Sequence, residues 1–124
     1  MDKVIHFEVP FDDGERATTF YQEAFGWQIN SMPQMQYSLV TTTPTDDSGN
    51  LTEAGGINGG LLARQQPIMT PVITIGVADL DESLARIEKR GGKVMRGRQP
   101  VGDMGFAAYF QDTEGNVIGL WQNA

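Results

Sequence analysis

Cysteine is absent from this 124-residue chain, and histidine occurs only once, as His6. The lack of cysteine excludes a disulfide framework, a thiolate nucleophile and a cysteine-ligated zinc site. A lone histidine without a neighbouring serine or cysteine motif also argues against a catalytic triad. The glycine pairs at residues 55–56 and 59–60 precede no Gly-Lys-Ser/Thr sequence, so they predict no nucleotide-binding loop.

Positive charge and long apolar runs are also scarce. The chain has 9 Lys and Arg residues against 16 Asp and Glu, a net charge of -7, which has the wrong sign for binding a phosphate backbone. No segment reaches the roughly 18 apolar residues that cross a bilayer, and the start lacks an export pattern. We therefore predict one cytoplasmic domain over residues 1–124 that binds neither nucleic acid nor membrane.

Strand and helix patterns follow one another in the same order in both halves of the chain. Short β-branched and aromatic runs predict strands at residues 4–9, 27–32, 36–42, 57–62, 72–77, 94–101, 106–111 and 117–122. Asp12 lies three residues before Glu15 and Asp79 three before Glu82, a pattern typical of helix starts. Residues 43–55 are polar and rich in turn formers, and predict a mobile loop.

The two halves align without gaps through their first strand and helix. Asp13 lies 13 residues before Gly26, and Asp79 lies 13 residues before Gly92. Such self-similarity predicts an internal repeat, with one module at about 1–62 and the other at about 70–124.

Three segments resemble the vicinal-oxygen-chelate (glyoxalase/bleomycin-resistance/dioxygenase) superfamily. They are His6-Phe7-Glu8-Val9-Pro10, Val77-Ala78-Asp79-Leu80-Asp81 and Asp112-Thr113-Glu114-Gly115-Asn116, with Thr113 where the family usually has proline. The resemblance implies an α+β fold of two βαβββ modules, whose curled mixed sheets form a cup with the helices outside. It also implies a ligand site inside the cup, and a homodimer.

Metal-using members of that superfamily place ligands on the first and last strands of both modules. His6 falls on the first of these positions. The other three fall on Val72, Gly119 and a position near Gly59, none of which offers a ligating side chain. We therefore predict no metal and no other cofactor; a divalent metal held by a different ligand set is the alternative.

The candidate site residues are those that strand alternation turns towards the cup. His6 is either a general base oriented by Glu8 or a residue that only lines the pocket. The predicted ligand contacts are Tyr37, Thr74, Met104, Phe106 and Trp121. The missing side chains of Gly59, Gly76 and Gly119 predict a cavity between these aromatic walls, although the aromatics could equally fill the cup or a dimer interface.

These patterns predict a metal-independent glyoxalase-like protein that binds a small organic molecule in an aromatic-lined cup. Two alternatives remain. One is a metal-dependent lyase, isomerase or dioxygenase of the same superfamily, and the other is an interaction subunit with a filled cup. If the protein is an enzyme, we expect a glyoxalase-like lyase or oxygenase.

Overall fold

The computed structural model describes all residues, 1–124. Its elements are β1 (Lys3–Phe11), α1 (Gly14–Phe25), β2 (Gln28–Met32), a 3₁₀ turn (Pro33–Met35), β3 (Tyr37–Thr41), β4 (Asn58–Ala63), β5 (Val72–Gly76), α2 (Leu80–Lys89), β6 (Lys93–Val101), β7 (Gly105–Gln111) and β8 (Val117–Asn123). The eight strands pair both parallel and antiparallel, which confirms the predicted α+β class. Neither helix is long and apolar enough to cross a membrane.

The chain divides into two compact units. The first unit comprises residues 6–65 and 69–71, and the second comprises residues 1–5, 66–68 and 72–124. Within the first unit the strands lie in the order β2-β3-β4-β1, and within the second in the order β5-β8-β7-β6. In each unit one pair is parallel (β1 with β4, and β5 with β8), while the remaining pairs are antiparallel.

Both helices begin at an aspartate whose side chain accepts a backbone N–H bond, since the first turn of a helix has no carbonyl partner for its N–H groups. Asp13 caps α1 by accepting from the Arg16 N–H at 3.0 Å, and Asp79 caps α2 by accepting from the Glu82 N–H at 3.0 Å. The prediction that Asp12 caps α1 is wrong by one residue. The Asp12 carboxylate instead pairs with Arg64 at 2.9 Å.

The two helices differ in how much they bury. Leu80 and Leu84 of α2 pack against the β7 and β8 side chains Ala108, Phe110 and Leu120, which together form the core of the second unit. In contrast, α1 has no fully buried residue, and Phe20 remains 57% exposed. Tyr21 of α1 stacks on Trp27, with ring centroids 4.6 Å apart. Trp27 in turn contacts Phe7 of β1, with ring centroids 5.6 Å apart, so α1 lies on the sheet face that carries Phe7.

The polar loop between β3 and β4 contains a turn that repeats the turn between β7 and β8. In the first, Asp46 Oδ1 accepts the backbone N–H groups of Ser48 and Asn50, both at 2.9 Å. In the second, Asp112 Oδ1 accepts those of residues 114 and 116 at 2.8 and 2.9 Å. Glycine occupies the left-handed position of both turns, with φ of 83° and 86°. The loop that the sequence predicts to be mobile therefore has defined internal hydrogen bonds.

Candidate functional site

His6 and Glu8 lie on the sheet face that points away from α1. In the parallel register of β1 with β4, His6 is opposite Asn58 and Glu8 is opposite Gly60. Because successive side chains of a strand alternate between faces, Phe7 lies on the other face, where it contacts Trp27. This arrangement gathers the lone imidazole and a carboxylate on one side of the first unit's sheet.

Tyr37, at the start of β3, joins His6 on this face. Its hydroxyl lies 2.8 Å from His6 Nε2, at hydrogen-bonding distance. The Tyr37 ring reaches across Gly60, because a Cβ atom added at Gly60 would overlap the Tyr37 hydroxyl and Cζ. The contact between Tyr37 and His6 therefore depends on the missing side chain at Gly60.

Burial controls the charge of His6. The His6 ring is largely withdrawn from water, and this desolvation lowers its pKa below the usual 6.5, an effect that the nearby Glu8 carboxylate opposes only in part. We therefore expect a neutral imidazole at pH 7, which has one donor and one acceptor nitrogen. A neutral imidazole beside a carboxylate that is only 6% exposed has the groups that general-base chemistry requires.

The residues at this face do not fit a divalent metal ion. Asn58 lies opposite His6, but its Oδ1 already accepts the backbone N–H groups of Thr42 and Thr43 at 2.8 and 3.0 Å. Gly60 has no side chain, and no three His, Asp or Glu side chains in the chain lie close enough to share an ion. His6 and Glu8 alone are fewer than the three or four protein ligands of a typical site. Metal independence of the protein itself stays a prediction.

In the second unit, Thr74 and Trp121 lie on one face as predicted. Thr74 is opposite Gly119, and Trp121 lies two residues further along β8. Their role as ligand contacts stays a prediction. The Trp121 indole N–H donates to Asn123 Oδ1 at 2.8 Å, which fixes the orientation of the ring.

The prediction that Phe106 lies on the same sheet face as Trp121 is wrong. Phe106 pairs with Gln122, the neighbour of Trp121, and therefore lies on the opposite face, packed against the α2 core. The Arg98 guanidinium carbon sits 3.8 Å from the centre of its ring. A shift of one residue in register reverses the face of every side chain in a strand, and sequence alternation alone did not fix the register of β7.

Met104 does not lie on a strand face at all. It occupies the turn before β7, where its backbone N–H donates to the Val101 carbonyl at 3.1 Å. Its side chain is 50% exposed. The turn therefore leaves Met104 half-exposed, and its role as a ligand contact stays a prediction.

The predicted voids at glycines are filled by neighbouring side chains. A Cβ atom at Gly59 would lie 2.6 Å from the Phe7 ring, one at Gly76 would lie 2.8 Å from Ile5, and one at Gly119 would lie 2.7 Å from the Thr74 hydroxyl. Neighbouring side chains therefore occupy the space directly beside each of these glycines, and the aromatic-walled cavity stays a prediction. The residue of β4 that shares the face of His6 and Glu8 is Gly60, and not Gly59 as the sequence suggested.

A shallow groove of about 350 Å³ lies in the first unit beside Tyr37, on the sheet face opposite to that of His6 and Glu8, since its residue Leu61 pairs with Val9. Its lining residues are uncharged, and include Phe11 and Leu61 as apolar walls with Ser31 and Ser38 as hydroxyl groups. This volume is at the lower end of the range for small-molecule sites. Sequence analysis missed the groove because its residues come from β1, β2, β3 and β4, and no local pattern links them.

Comparison with known proteins gives the family. Residues 3–43 match the family model of the bleomycin resistance protein-like N-terminal region. A glyoxylase-like domain-containing protein from Didymella fabae is 30% identical over 115 residues, covering 89% of this chain and 85% of the relative.

Solved structures agree in fold. A methylmalonyl-CoA epimerase from Streptomyces coelicolor, solved with 2-nitronate-propionyl-CoA, is 18% identical with a TM-score of 0.70, covering 98% of this chain and 97% of that one. A glyoxalase/bleomycin resistance protein/dioxygenase superfamily member from Vibrio splendidus is 14% identical with a TM-score of 0.64, and each chain covers 100% of the other. At these identities the likeness shows the fold alone. With the glyoxylase-like relative, it confirms the predicted resemblance: the chain belongs to the glyoxalase/bleomycin-resistance/dioxygenase, or vicinal-oxygen-chelate, superfamily.

Proposed function

We propose that this chain is a glyoxalase-like protein that binds a small organic molecule without a metal ion, at a site we call the His6 site, formed by His6, Glu8, Tyr37 and Gly60. The observation that carries the proposal is the contact of 2.8 Å between His6 Nε2 and the Tyr37 hydroxyl. It links the only imidazole of the chain to a phenol, on the face that also holds the buried Glu8.

The chemistry of the site favours an uncharged ligand. Burial keeps the imidazole neutral, and the Glu8 carboxylate beside it repels an anionic group. On the same face as His6, the Tyr37 ring and the Leu39 side chain opposite Gly60, 41% exposed, offer uncharged apolar walls. A flat, neutral molecule with one or two polar atoms satisfies these conditions, because its body can lie on apolar walls while its polar atoms bond to the site. If the protein catalyses a reaction on this ligand, His6 is the base and Glu8 orients it.

The ligand half of the proposal is tested by nuclear magnetic resonance. Since His6 is the only histidine, its ring signals can be identified without assigning the whole spectrum. Small flat probes such as phenol, indole and quinoline are titrated at neutral pH, with methylmalonyl-CoA as a charged comparison suggested by the epimerase neighbour. We expect saturable shifts of the His6 signals with at least one neutral probe, and their loss in Tyr37→Ala. His6 signals that no probe moves would overturn ligand binding at this site.

The metal half is tested by elemental analysis of purified protein and by thermal melts with Mn²⁺, Fe²⁺, Ni²⁺ and Zn²⁺. We expect much less than one ion per chain and no stabilisation by any of the four. One ion per chain, with stabilisation that His6→Ala abolishes, would refute metal independence. That result would favour the metal-dependent lyase, isomerase or dioxygenase.

We also propose that the protein is a homodimer, as its family resemblance implies, and that it is cytoplasmic, as the sequence predicts. Light scattering coupled to gel filtration distinguishes a monomer from a dimer, since the mass of one chain is 13.6 kDa. A mass of one chain across micromolar concentrations would contradict the dimer.

A further inference from the structure

His6 and Glu8 form half of a metal site. Imidazole nitrogen and carboxylate oxygen are ligands that zinc and nickel accept in proteins. The two residues are two positions apart on β1, so their side chains leave the same face with a separation of about 7 Å along the strand. A third ligand on β4 opposite Glu8 would complete a set of three side chains around one ion.

Tyr37 occupies the space beside both potential ligands, His6 and Glu8. Its hydroxyl lies against His6 Nε2, the nitrogen that points along this face. Its ring covers Gly60, the residue directly opposite Glu8. A single side chain therefore both engages the imidazole nitrogen and fills the volume next to the carboxylate.

We infer that Tyr37 is the residue that excludes divalent metal ions from the His6–Glu8 pair, so that the tyrosine hydroxyl, and not an ion, is the partner of the imidazole. The inference deepens the proposed function and rests on the metal independence proposed for the same site. It assigns Tyr37 as a specificity-determining residue and Gly60 as the position that admits it.

The inference is tested by removing Tyr37 in two steps. Tyr37→Phe keeps the ring and removes the hydroxyl that contacts the imidazole nitrogen, whereas Tyr37→Ala also opens the volume over Gly60. A third variant, Tyr37→Ala with Gly60→His, adds a second imidazole opposite Glu8 and makes a set of two histidines and one carboxylate. Circular dichroism and thermal melts establish that each variant is folded.

Binding of Ni²⁺ is measured by calorimetry and by broadening of the His6 ring signals. We expect no binding by the wild type, His6-dependent binding by Tyr37→Phe and Tyr37→Ala, and affinity at least about tenfold higher again in the two-histidine variant, because each added ligand contributes more than about 1.4 kcal/mol. Adding His6→Ala to any variant should abolish the binding.

The possible results separate the two proposals. Binding of Ni²⁺ at His6 in the wild type refutes the metal independence on which both depend. If the wild type binds no ion and folded Tyr37→Ala protein also binds none, the proposed function stands and the role of Tyr37 is overturned.

Discussion

Gly60→Ala is the smallest change that tests the geometry of the His6 site. Gly60 is buried in β4, and its φ is not in the left-handed region, so alanine is compatible with the backbone itself. The new methyl group would nevertheless overlap the Tyr37 hydroxyl and ring. The ring must move, and its contact of 2.8 Å with His6 is then lost.

The expected cost follows from three contributions. Loss of the hydrogen bond costs about 1 kcal/mol. Overpacking in a filled region costs about 1–3 kcal/mol. Replacing glycine stiffens the unfolded chain, which returns about 0.4–1 kcal/mol. We therefore expect Gly60→Ala to lower the free energy of unfolding by about 1–3.6 kcal/mol.

The assay is urea denaturation, which gives the midpoint and the slope of unfolding. Gly97→Ala is the matched control, since Gly97 also lies in a strand, and a Cβ atom there would have no other atom within 4 Å. The control should be neutral or slightly stabilised. In a Tyr37→Ala background the cost of Gly60→Ala should disappear, because the clashing ring is gone. Equal costs for Gly60→Ala and Gly97→Ala, or a cost that persists without the ring, would refute the packing described for Tyr37.

Three further predictions concern charge and packing. Burial lowers the pKa of His6 in the folded protein below 6.5, so below pH 6.5 the unfolded chain takes up a proton at His6 more readily than the folded chain. The contribution of neutral His6 to the free energy of unfolding is therefore complete above pH 6.5 and is lost as the pH falls towards the folded pKa. His6→Gln should remove this part of the pH dependence in urea denaturation from pH 8 to 5. The backbone N–H of Asn50 holds the pKa of Asp46 below its usual 3.8, and the backbone N–H of Asn116 does the same for Asp112, so their contributions exist above pH 3.8 and are lost below it. The difference in melting temperature between pH 6 and pH 3 should therefore shrink in Asp46→Ala with Asp112→Ala, and an unchanged difference would contradict the turn hydrogen bonds. Leu80→Ala should cost about 2–5 kcal/mol in urea denaturation because Leu80 is 0% exposed, whereas Phe20→Ala, at a residue 57% exposed, should cost less than about 1 kcal/mol.

The local elements of the fold were predictable because their signals are local. Asp79 and Gly26 mark helix ends through hydrogen bonds and a left-handed backbone that only a few residue types supply. The polar loop at 43–55 carries a further local signal, because Asp46 and Asn50 have the same spacing as Asp112 and Asn116. That spacing would have predicted the second turn.

Strand faces were less predictable, since they depend on pairing between distant segments. In β4 the sequence Asn58-Gly59-Gly60 has no alternation that distinguishes the two faces, so the choice of Gly59 over Gly60 had no physical basis. Phe106 has the same problem, since either face of β7 carries aromatic residues. The contact between His6 and Tyr37 joins residues 31 positions apart and requires the register of three strands.

Aligning the two halves as the predicted repeat shows where they differ. With Asp13 aligned on Asp79, Glu8 corresponds to Thr74, and each lies opposite a buried glycine, Gly60 in the first unit and Gly119 in the second. The two glycines are covered differently, by Tyr37 from another strand in the first unit and by Thr74 itself in the second.

This difference has a chemical consequence. At the equivalent positions of its first strand the first unit carries His6 and Glu8, whereas the second unit carries Val72 and Thr74, which do not ionise near neutral pH. A valine and a threonine can shape a surface and accept or donate a hydrogen bond, but they cannot serve as a base with a pKa near 7. Acid–base chemistry at these positions is therefore confined to the first unit, and changes at His6 should alter such chemistry whereas Thr74→Val should not.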